Sequence, residues 1–230
     1  MPEADLEKAE EAGLEVYLLR NLIQLGKEMP ERPFNKPTPD DVFMFCYTSG
    51  TTGVPKAAMI THRMALSVVA GLQQQEVDLD ERDTIISYLP YAHCFEQAML
   101  CYALCTGIKI GYFSGDVLKL MDDLQELKPT LFPSVPRLFN RIYDGIKKRV
   151  ADSSAPKRKL FDMAVNAKLY HLNNSGSLTH KVYDKLVFNK IKQMIGGRVR
   201  MMVTGSAPIS PDVLNFLKVC FCAPLLEGYG

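Results

Sequence analysis

Residues 46–56 read Cys-Tyr-Thr-Ser-Gly-Thr-Thr-Gly-Val-Pro-Lys. Aliphatic hydroxyls, glycines and one lysine crowd a short run behind an apolar segment. Each type has a job to do for a phosphate. Gly50 and Gly53 let the backbone come close and aim N–H groups outward. Thr48, Ser49, Thr51 and Thr52 add hydroxyl donors, and Lys56 adds a point charge. The spacing excludes two other phosphate devices. The P-loop needs Gly, four residues, then Gly-Lys-Ser/Thr, and Pro55 stands at the fifth position after Gly50. The dinucleotide pattern Gly-x-Gly-x-x-Gly is absent from the loop. The run therefore reads as a cradle for the tail of a nucleotide triphosphate; the plain alternative is a polar turn between two strands.

The elements around it read as strands alternating with helices. Val42 to Tyr47 is a strand before the loop, and Ala58 to Thr61 returns from it. Residues 62–75 follow as a helix. Thr84 to Leu89 is a strand that delivers Pro90 and His93 to its end. Residues 95–105 form a helix and Ile108 to Phe113 a strand. Asp116 caps a helix whose apolar residues Val117, Leu118, Leu120, Met121, Leu124 and Leu127 recur at helical spacing, with Pro129 at its exit. Residues 130–132 form a short strand. Residues 137–149 and 157–172 are helical, a loop spans 173–177, and a third long helix ends at Gly196-Gly197. Val199 to Val203 is a strand, Ser210-Pro211-Asp212 opens a helix with a capping hydroxyl, and Pro224 to Leu226 is a last strand. Before all this, residues 3–12 are helix-prone, Leu14 to Leu19 reads as a short strand and residues 21–27 as a helix. Four prolines mark residues 29–41 as a connector. The alternation predicts an α/β fold with a mostly parallel sheet flanked by helices. The loops at 48–56, 90–96, 204–208 and 227–230 all follow strands, where ligands bind in open α/β sheets.

The loop at 46–56 resembles the phosphate-binding signature of the adenylate-forming superfamily. Tyr-Leu-Pro-Tyr-Ala-His-Cys-Phe-Glu (88–96) is similar to its second motif. Val-Thr-Gly-Ser-Ala-Pro-Ile-Ser (203–210) is similar to its nucleotide-base loop, and Glu-Gly-Tyr-Gly (227–230) to the start of its adenine-contacting motif. Residues 115–124 and 128–138 narrow the resemblance to long-chain fatty acyl-CoA synthetases. It covers nearly all of the chain from about residue 40, and the region before that more weakly. Ala57 departs from the glycine that many members carry after the lysine. The resemblance implies residues 41–230 as part of an AMP-binding domain, with residues 1–40 as a lead-in and proline-rich connector. It also implies a further threonine–glutamate motif and a small C-terminal lysine domain beyond Gly230, so that this piece alone would be inactive.

The implied chemistry joins a fatty carboxylate to the α-phosphorus of ATP, then passes the acyl group to coenzyme A. Thr48, Ser49, Gly50, Thr51, Thr52, Gly53 and Lys56 would hold the β- and γ-phosphates, with Mg2+ bridging phosphate oxygens near Thr51. Gly205, Ser206, Ala207 and Pro208 would pass close to the adenine and the acyl carbonyl. Glu227, Gly228, Tyr229 and Gly230 would shape the adenine pocket, Tyr229 stacking on the ring. His93 would lie near the carboxylate and is the candidate catalytic residue; alone beside apolar residues, it would read as structural. Tyr88, Phe132, Pro133, Val135, Pro136, Leu138 and Phe139 would line an acyl tunnel or, singly, pack the core. A medium-chain or 4-coumarate-type ligase remains an alternative, as does a non-catalytic nucleotide- or lipid-binding piece.

The composition fits these readings. The net charge is +1 and charged residues make up 23% of the chain, which implies no nucleic-acid-binding field. Arg141, Lys147, Lys148, Arg149, Lys157, Arg158 and Lys159 form a basic stretch, read as a solvated helix face or, functionally, as an attractor for CoA phosphates or an anionic membrane. The six cysteines suit a reduced compartment, and Cys220-Phe-Cys222 alternates as a strand would. No apolar run reaches membrane-span length. The resemblance places the whole protein on the cytoplasmic side of the endoplasmic reticulum or mitochondrial outer membrane, with peripheral attachment.

Overall fold

The computed structural model describes residues 8–9, 11–48, 55–75 and 77–228. The chain divides into two compact units, Met1–Thr38 and Pro39–Gly230. In the first, helix α1 (Leu19–Glu28) is regular. The strand expected at Leu14 to Leu19 does not form. A strand needs a ladder partner for its N–H and C=O groups, and among the described residues none pairs with this segment. Leu19 instead opens α1.

In the second unit, β1 (Val42–Thr48) and β2 (Lys56–Thr61) pair antiparallel as a separate hairpin, Thr48 opposite Lys56 and Tyr47 opposite Ala57. The strands that flank residues 49–54 therefore belong to a two-stranded sheet separate from the parallel one. Helix α2 (His62–Gln73) follows directly, its first turn closed by the Thr61 hydroxyl accepting from the Met64 N–H. Then come β3 (Thr84–Ser87), α3 (Cys94–Thr106), β4 (Lys109–Tyr112), α4 (Leu120–Leu127), β5 (Leu131–Ser134), α5 (Pro136–Ala151) and α6 (Ala155–Ser175). A composite helix α7 (181–195), β6 (Met201–Thr204), α8 (Pro211–Phe221) and β7 (Leu225–Glu227) complete the order.

The five strands β3–β7 form one parallel sheet in the order β4-β3-β5-β6-β7. Its short strands alternate between two apolar layers, as a period of two requires. Ile85, Leu131, Met201 and Val203 face α2 and α3, packing with Val69, Met99 and Tyr102. Ile86, Phe132 and Met202 face the other way, into a larger core with Leu124, Phe139, Phe161, Phe188 and Phe216. Asp83, 2% exposed, ties the starts of β3 and β6 together: its carboxylate accepts from Arg200 Nη1 at 2.8 and 2.9 Å.

Local differences from the sequence reading have physical causes. The third long helix is not uniform. It runs α over Lys181–Tyr183, π over Asp184–Phe188, α over Asn189–Lys192 and 3-10 over Gln193–Ile195. The π turn inserts a residue and lets both Asp184 and Phe188 face inward. Ser210 precedes α8 with Pro211 in the first turn, but its hydroxyl makes no capping bond. Cys220 and Cys222 are not strand residues. Cys220 lies within α8 and Cys222 is its left-handed C-cap, φ 54°. The helix expected to stop before Asn173 runs on to Ser175, where Gly176 ends it.

Candidate functional site

A cavity of about 320 Å³ opens where the hairpin, α2 and α3 meet the carboxyl ends of β6 and β7. Phe43, Met44 and Ile60 come from the hairpin, Met64, Ala65, Val68 and Leu72 from α2, and Phe95, Ala98, Met99 and Cys101 from α3. His93, Gly205, Ser206 and Gly228 border the same space. The lining is thus mostly hydrocarbon with a polar rim on one side, the composition of a small-molecule site.

His93 owes its position to β3. The strand ends at Ser87, and a turn with the His93 N–H bonded to the Pro90 carbonyl at 2.9 Å leads into α3. There His93 is the N-cap: its Nδ1 accepts from the Phe95 N–H at 3.2 Å. An accepting Nδ1 leaves the proton of the neutral ring on Nε2. The ring thereby offers a donor to whatever sits at the cavity rim, beside the positive end of a thirteen-residue helix.

The loop after β6 is held by β7. The Gly228 N–H donates to the Thr204 carbonyl at 2.7 Å, and the Ile209 N–H donates to Glu227 Oε1 at 3.4 Å. Ser206 adopts φ 73°, a left-handed backbone that non-glycine residues rarely hold without a local reason. Gly205 is buried between Phe95 and Gly228; a side chain built on it would stand 3.6 Å from each. Ala207 and Pro208 are exposed on the same loop and do not line the cavity.

Buried polar groups cluster behind this rim. Ser87 donates to Glu96 Oε1 inside the protein. Burial holds the Glu96 carboxyl above its usual range, against the pull of the Ser87 hydroxyl and the Leu89 N–H. Among the described residues, Glu96 Oε2 and Thr204 Oγ1 are buried without a hydrogen-bond partner. The Tyr88 hydroxyl donates to Ser134 Oγ at 2.8 Å, which links the ends of β3 and β5.

The structure thus brings His93, Gly205, Ser206 and Gly228 onto one cavity, with Glu227 bracing the loop. Thr48 and Lys56 face each other in register at the base of the hairpin loop, an adjacent-strand spacing apart. Ser49, Gly50, Thr51, Thr52 and Gly53, and Tyr229 and Gly230, lie outside the described residues. The expected tunnel residues do not line the cavity. Tyr88, Phe132 and Phe139 are buried in the larger core on the opposite face of the sheet. The actual lining from α2 and α3 reads in sequence as ordinary amphipathic helix. Its only signal is small Ala65 and Ala98 among large apolar neighbours. The basic stretch lies on exposed faces of α5 and α6, and Lys147 Nζ sits 4.9 Å from the Phe216 ring.

The pattern of the AMP-binding enzyme family matches residues 2–230. The chain is 45% identical over 218 residues to long chain acyl-CoA synthetase 7, peroxisomal, of Arabidopsis thaliana, covering 95% of this chain and 31% of that protein. It is 42% identical over 228 residues to human long-chain-fatty-acid–CoA ligase 1, covering 98% of this chain and 32% of that protein. Among solved structures, the A-PCP didomain of carboxylic acid reductase from Segniliparus rugosus in complex with AMP superposes with a TM-score of 0.70 at 26% identity. That superposition covers 99% of this chain and 30% of the other. The chain therefore spans about a third of the length of the curated relatives it matches.

Proposed function

The chain belongs to the AMP-binding enzyme family, and from that premise we propose that the protein carrying it is a long-chain fatty acid–CoA ligase. One observation carries the reading. A mostly hydrocarbon cavity has, on a single rim, a histidine with a free donor position, a glycine loop and the end of β7. The apolar part suits an acyl chain and the rim suits a carboxylate meeting a nucleotide.

In the first step a fatty carboxylate oxygen attacks the α-phosphorus of ATP. An O–P bond forms, the bond to the β-phosphate breaks, and pyrophosphate leaves. His93 Nε2–H would orient the carboxylate, and the backbone at Gly205 and Ser206 would lie against the adenine and the acyl phosphate. Thr48, Ser49, Gly50, Thr51, Thr52, Gly53 and Lys56 would grip the departing pyrophosphate at the end of the hairpin. The work is positioning and charge neutralisation, with no protein nucleophile. In the second step the CoA sulfur attacks the acyl carbonyl and AMP leaves.

Ala207 and Pro208 would keep the base loop narrow, and Tyr229, with Gly230, would close over the adenine. Mg2+ finds no carboxylate cage here: among the described residues no three His, Cys, Asp or Glu side chains converge. When bound, it would neutralise charge on the phosphates, with Thr51 as its neighbour. Residues 41–230 would be the AMP-binding part and 1–40 a lead-in. So apolar a substrate favours peripheral attachment to a membrane, at the endoplasmic reticulum or mitochondrial outer membrane, where the basic faces of α5 and α6 meet anionic lipid. No described helix is long and apolar enough to cross a bilayer.

The test is exchange of labelled pyrophosphate into ATP, driven by fatty acids of increasing length. Exchange that peaks with long chains, and shifts to shorter ones in Ala98→Trp, is the expected result. Exchange independent of fatty acid, or an unchanged length profile in that variant, refutes the reading. A second reading is a nucleotide- or lipid-binding piece without thioester formation. Fatty-acid-dependent thioester formation would exclude it.

A further inference from the structure

We propose that Lys168 and Cys222 are the two ends of a redox-reversible N–O–S crosslink, one oxygen atom joining the lysine nitrogen to the cysteine sulfur, with hydrogen peroxide as the oxidant. Lys168 projects from α6 and its side chain has no solvent exposure. Its Nζ donates to Asp184 Oδ1 at 2.6 Å and to Cys222 Sγ at 3.0 Å, and stands 4.4 Å from the Phe188 ring centre. Packing alone does not call for this arrangement. A sealed ammonium is costly, and an apolar side chain of similar volume serves a core as well or better. Three separate elements nonetheless converge on the nitrogen: α6, the π turn that opens at Asp184, and the left-handed cap at Cys222.

The two ends differ in access. Lys168 is sealed, whereas Cys222 is half-buried and borders an open cavity of about 570 Å³ lined by Asp78, Lys192, Arg198 and Arg200. A small oxidant reaches the sulfur from that side. Burial, helped by the Asp184 carboxylate, holds the Cys222 thiol above its usual range even though the Lys168 ammonium draws it down; the ammonium against Sγ is the group that favours the thiolate fraction.

The chemistry balances. The Cys222 thiolate attacks one peroxide, the O–O bond breaks, and sulfenic acid and water result. Lys168 passes a proton to Asp184, which keeps 21% of its side chain in solvent and releases it there. A second peroxide enters past Cys222, whose Sγ lies 3.0 Å from the nitrogen; the free amine attacks it and becomes a hydroxylamine, with loss of another water. The hydroxylamine oxygen then attacks the sulfenic sulfur and the S–OH oxygen departs as water. One thiol, one amine and two peroxides thus give one S–O–NH link and three waters. Two equivalents of dithiol return the thiol, the amine and one water.

The link would pin the corner between α8 and β7 to α6. Cys222 lies just ahead of β7, whose end supplies Glu227 and Gly228 to the cavity rim. Oxidation would therefore stiffen the nucleotide loop, a consequence that rests on the function proposed above, although the crosslink itself does not.

Peptide mass spectrometry of the purified protein after peroxide treatment and alkylation reads the link without any activity assay. The expected product is a joined pair of peptides bearing Lys168 and Cys222, heavier by about 14 Da for one oxygen gained and two hydrogens lost. Dithiothreitol should return it to two unmodified peptides. Lys168→Arg should give no joined product and leave a Cys222 sulfenic acid that dimedone traps. Only sulfinic or sulfonic acid at Cys222, a Cys220–Cys222 disulfide, or an unmodified Cys222 beside an oxidised, exposed Cys105, would each overturn the proposal. The wild-type measurement decides the matter even where the variant folds poorly.

Discussion

Changing either of two glycines to alanine should give opposite signatures, and the contrast separates architecture from ligand binding. Gly196 ends α7 with φ 88°, and a Cβ built there lies 2.5 Å from the Leu124 carbonyl oxygen and 2.6 Å from Lys128 Cα. Both neighbours are backbone and cannot swing aside. A left-handed conformation costs an L residue about 1–2 kcal/mol, and overpacking adds about 1–3 kcal/mol. Gly196→Ala should therefore lose roughly 3 kcal/mol or more, lowering Tm by about 6–12 °C for a domain of this size. Gly205 differs. Its φ lies outside the left-handed region, and its nearest neighbours, the Gly228 oxygen and Phe95 Cδ2, would sit 3.6 Å from a new Cβ, an ordinary contact. Gly205→Ala should change stability by less than about 1 kcal/mol. The methyl group would narrow the cavity rim where the adenine is proposed to lie, and an overpacking cost of about 1–3 kcal/mol there weakens binding about 5- to 150-fold. Urea unfolding of both variants and calorimetric titration of AMP into Gly205→Ala supply the numbers. Were Gly205→Ala to lose stability like Gly196→Ala, or to bind AMP as the parent does, Gly205 would be an architectural glycine and the site assignment would fail.

Lys168→Met should cost about 2–4 kcal/mol, less than a fully sealed pair because Asp184 keeps a fifth of its side chain in solvent; adding Asp184→Leu should restore at least half, and a double variant no more stable than the single would refute this. Although burial raises the Asp184 carboxyl, the Lys168 and His180 hydrogen bonds outweigh it and hold the group below its usual range. Its stabilisation is thus full above about pH 4 and is lost as pH falls through the lower folded value, an acid limb that Asp184→Asn should flatten in unfolding curves. Glu96 carries the opposite sign: its burial-raised carboxyl makes stability decline as pH rises from about 4.3 through the folded value. Glu96→Gln should remove that slope, and an unaltered pH profile would count against the raised value. His93→Ala should lose about 1 kcal/mol of capping as well as fatty acid affinity, whereas His93→Asn should keep the cap and lose only affinity; chemical denaturation and fatty acid titration separate the two.

Much of the sheet was legible because its strands are short and apolar, the inner ones β3, β5 and β6 almost wholly buried, and because proline, glycine and capping residues bound the helices. Asp116 does accept from the Leu118 N–H as its position foretold, and Pro136 and Pro156 stand in first turns. What was not legible depends on partners far along the chain. Leu14 to Leu19 has the alternation of a strand, but alternation says nothing about whether a ladder exists to receive it. Cys220 and Cys222 alternate too, yet the period of two coincides with the last turn of a helix and its left-handed cap. The cavity escaped notice for a related reason. Its walls are the facing sides of α2 and α3, and a gap between two amphipathic helices is set by how Ala65 and Ala98 meet large neighbours across the interface, not by either helix alone. By contrast His93, Gly205 and Gly228 were readable, since each follows a strand and needs only the parallel sheet to bring it to a common edge.

The sheet order explains why the open space lies where it does. The chain passes from β3 outward to β4, then crosses back over β3 to β5 and continues to β6 and β7. That reversal falls between β3 and β5, the place where an α/β sheet normally opens a crevice. Here the crevice is stopped: the Tyr88 hydroxyl bonds Ser134 across it, and the Tyr88 ring stacks at 6.4 Å on Phe132. With the switch point filled on the face of the larger core, the cavity at the strand ends opens on the α2–α3 face. On that face the ends of β3, β6 and β7 contribute His93, Gly205 and Gly228, and the antiparallel hairpin supplies the remaining wall. The hairpin therefore forms a wall of the cavity as well as bearing the proposed phosphate loop. It closes the apolar cavity with Phe43, Met44 and Ile60, and the same two strands hold Thr48 opposite Lys56. An acyl chain and a polyphosphate tail bound as proposed would both lie against this hairpin, which would favour an in-line attack at the phosphorus between them.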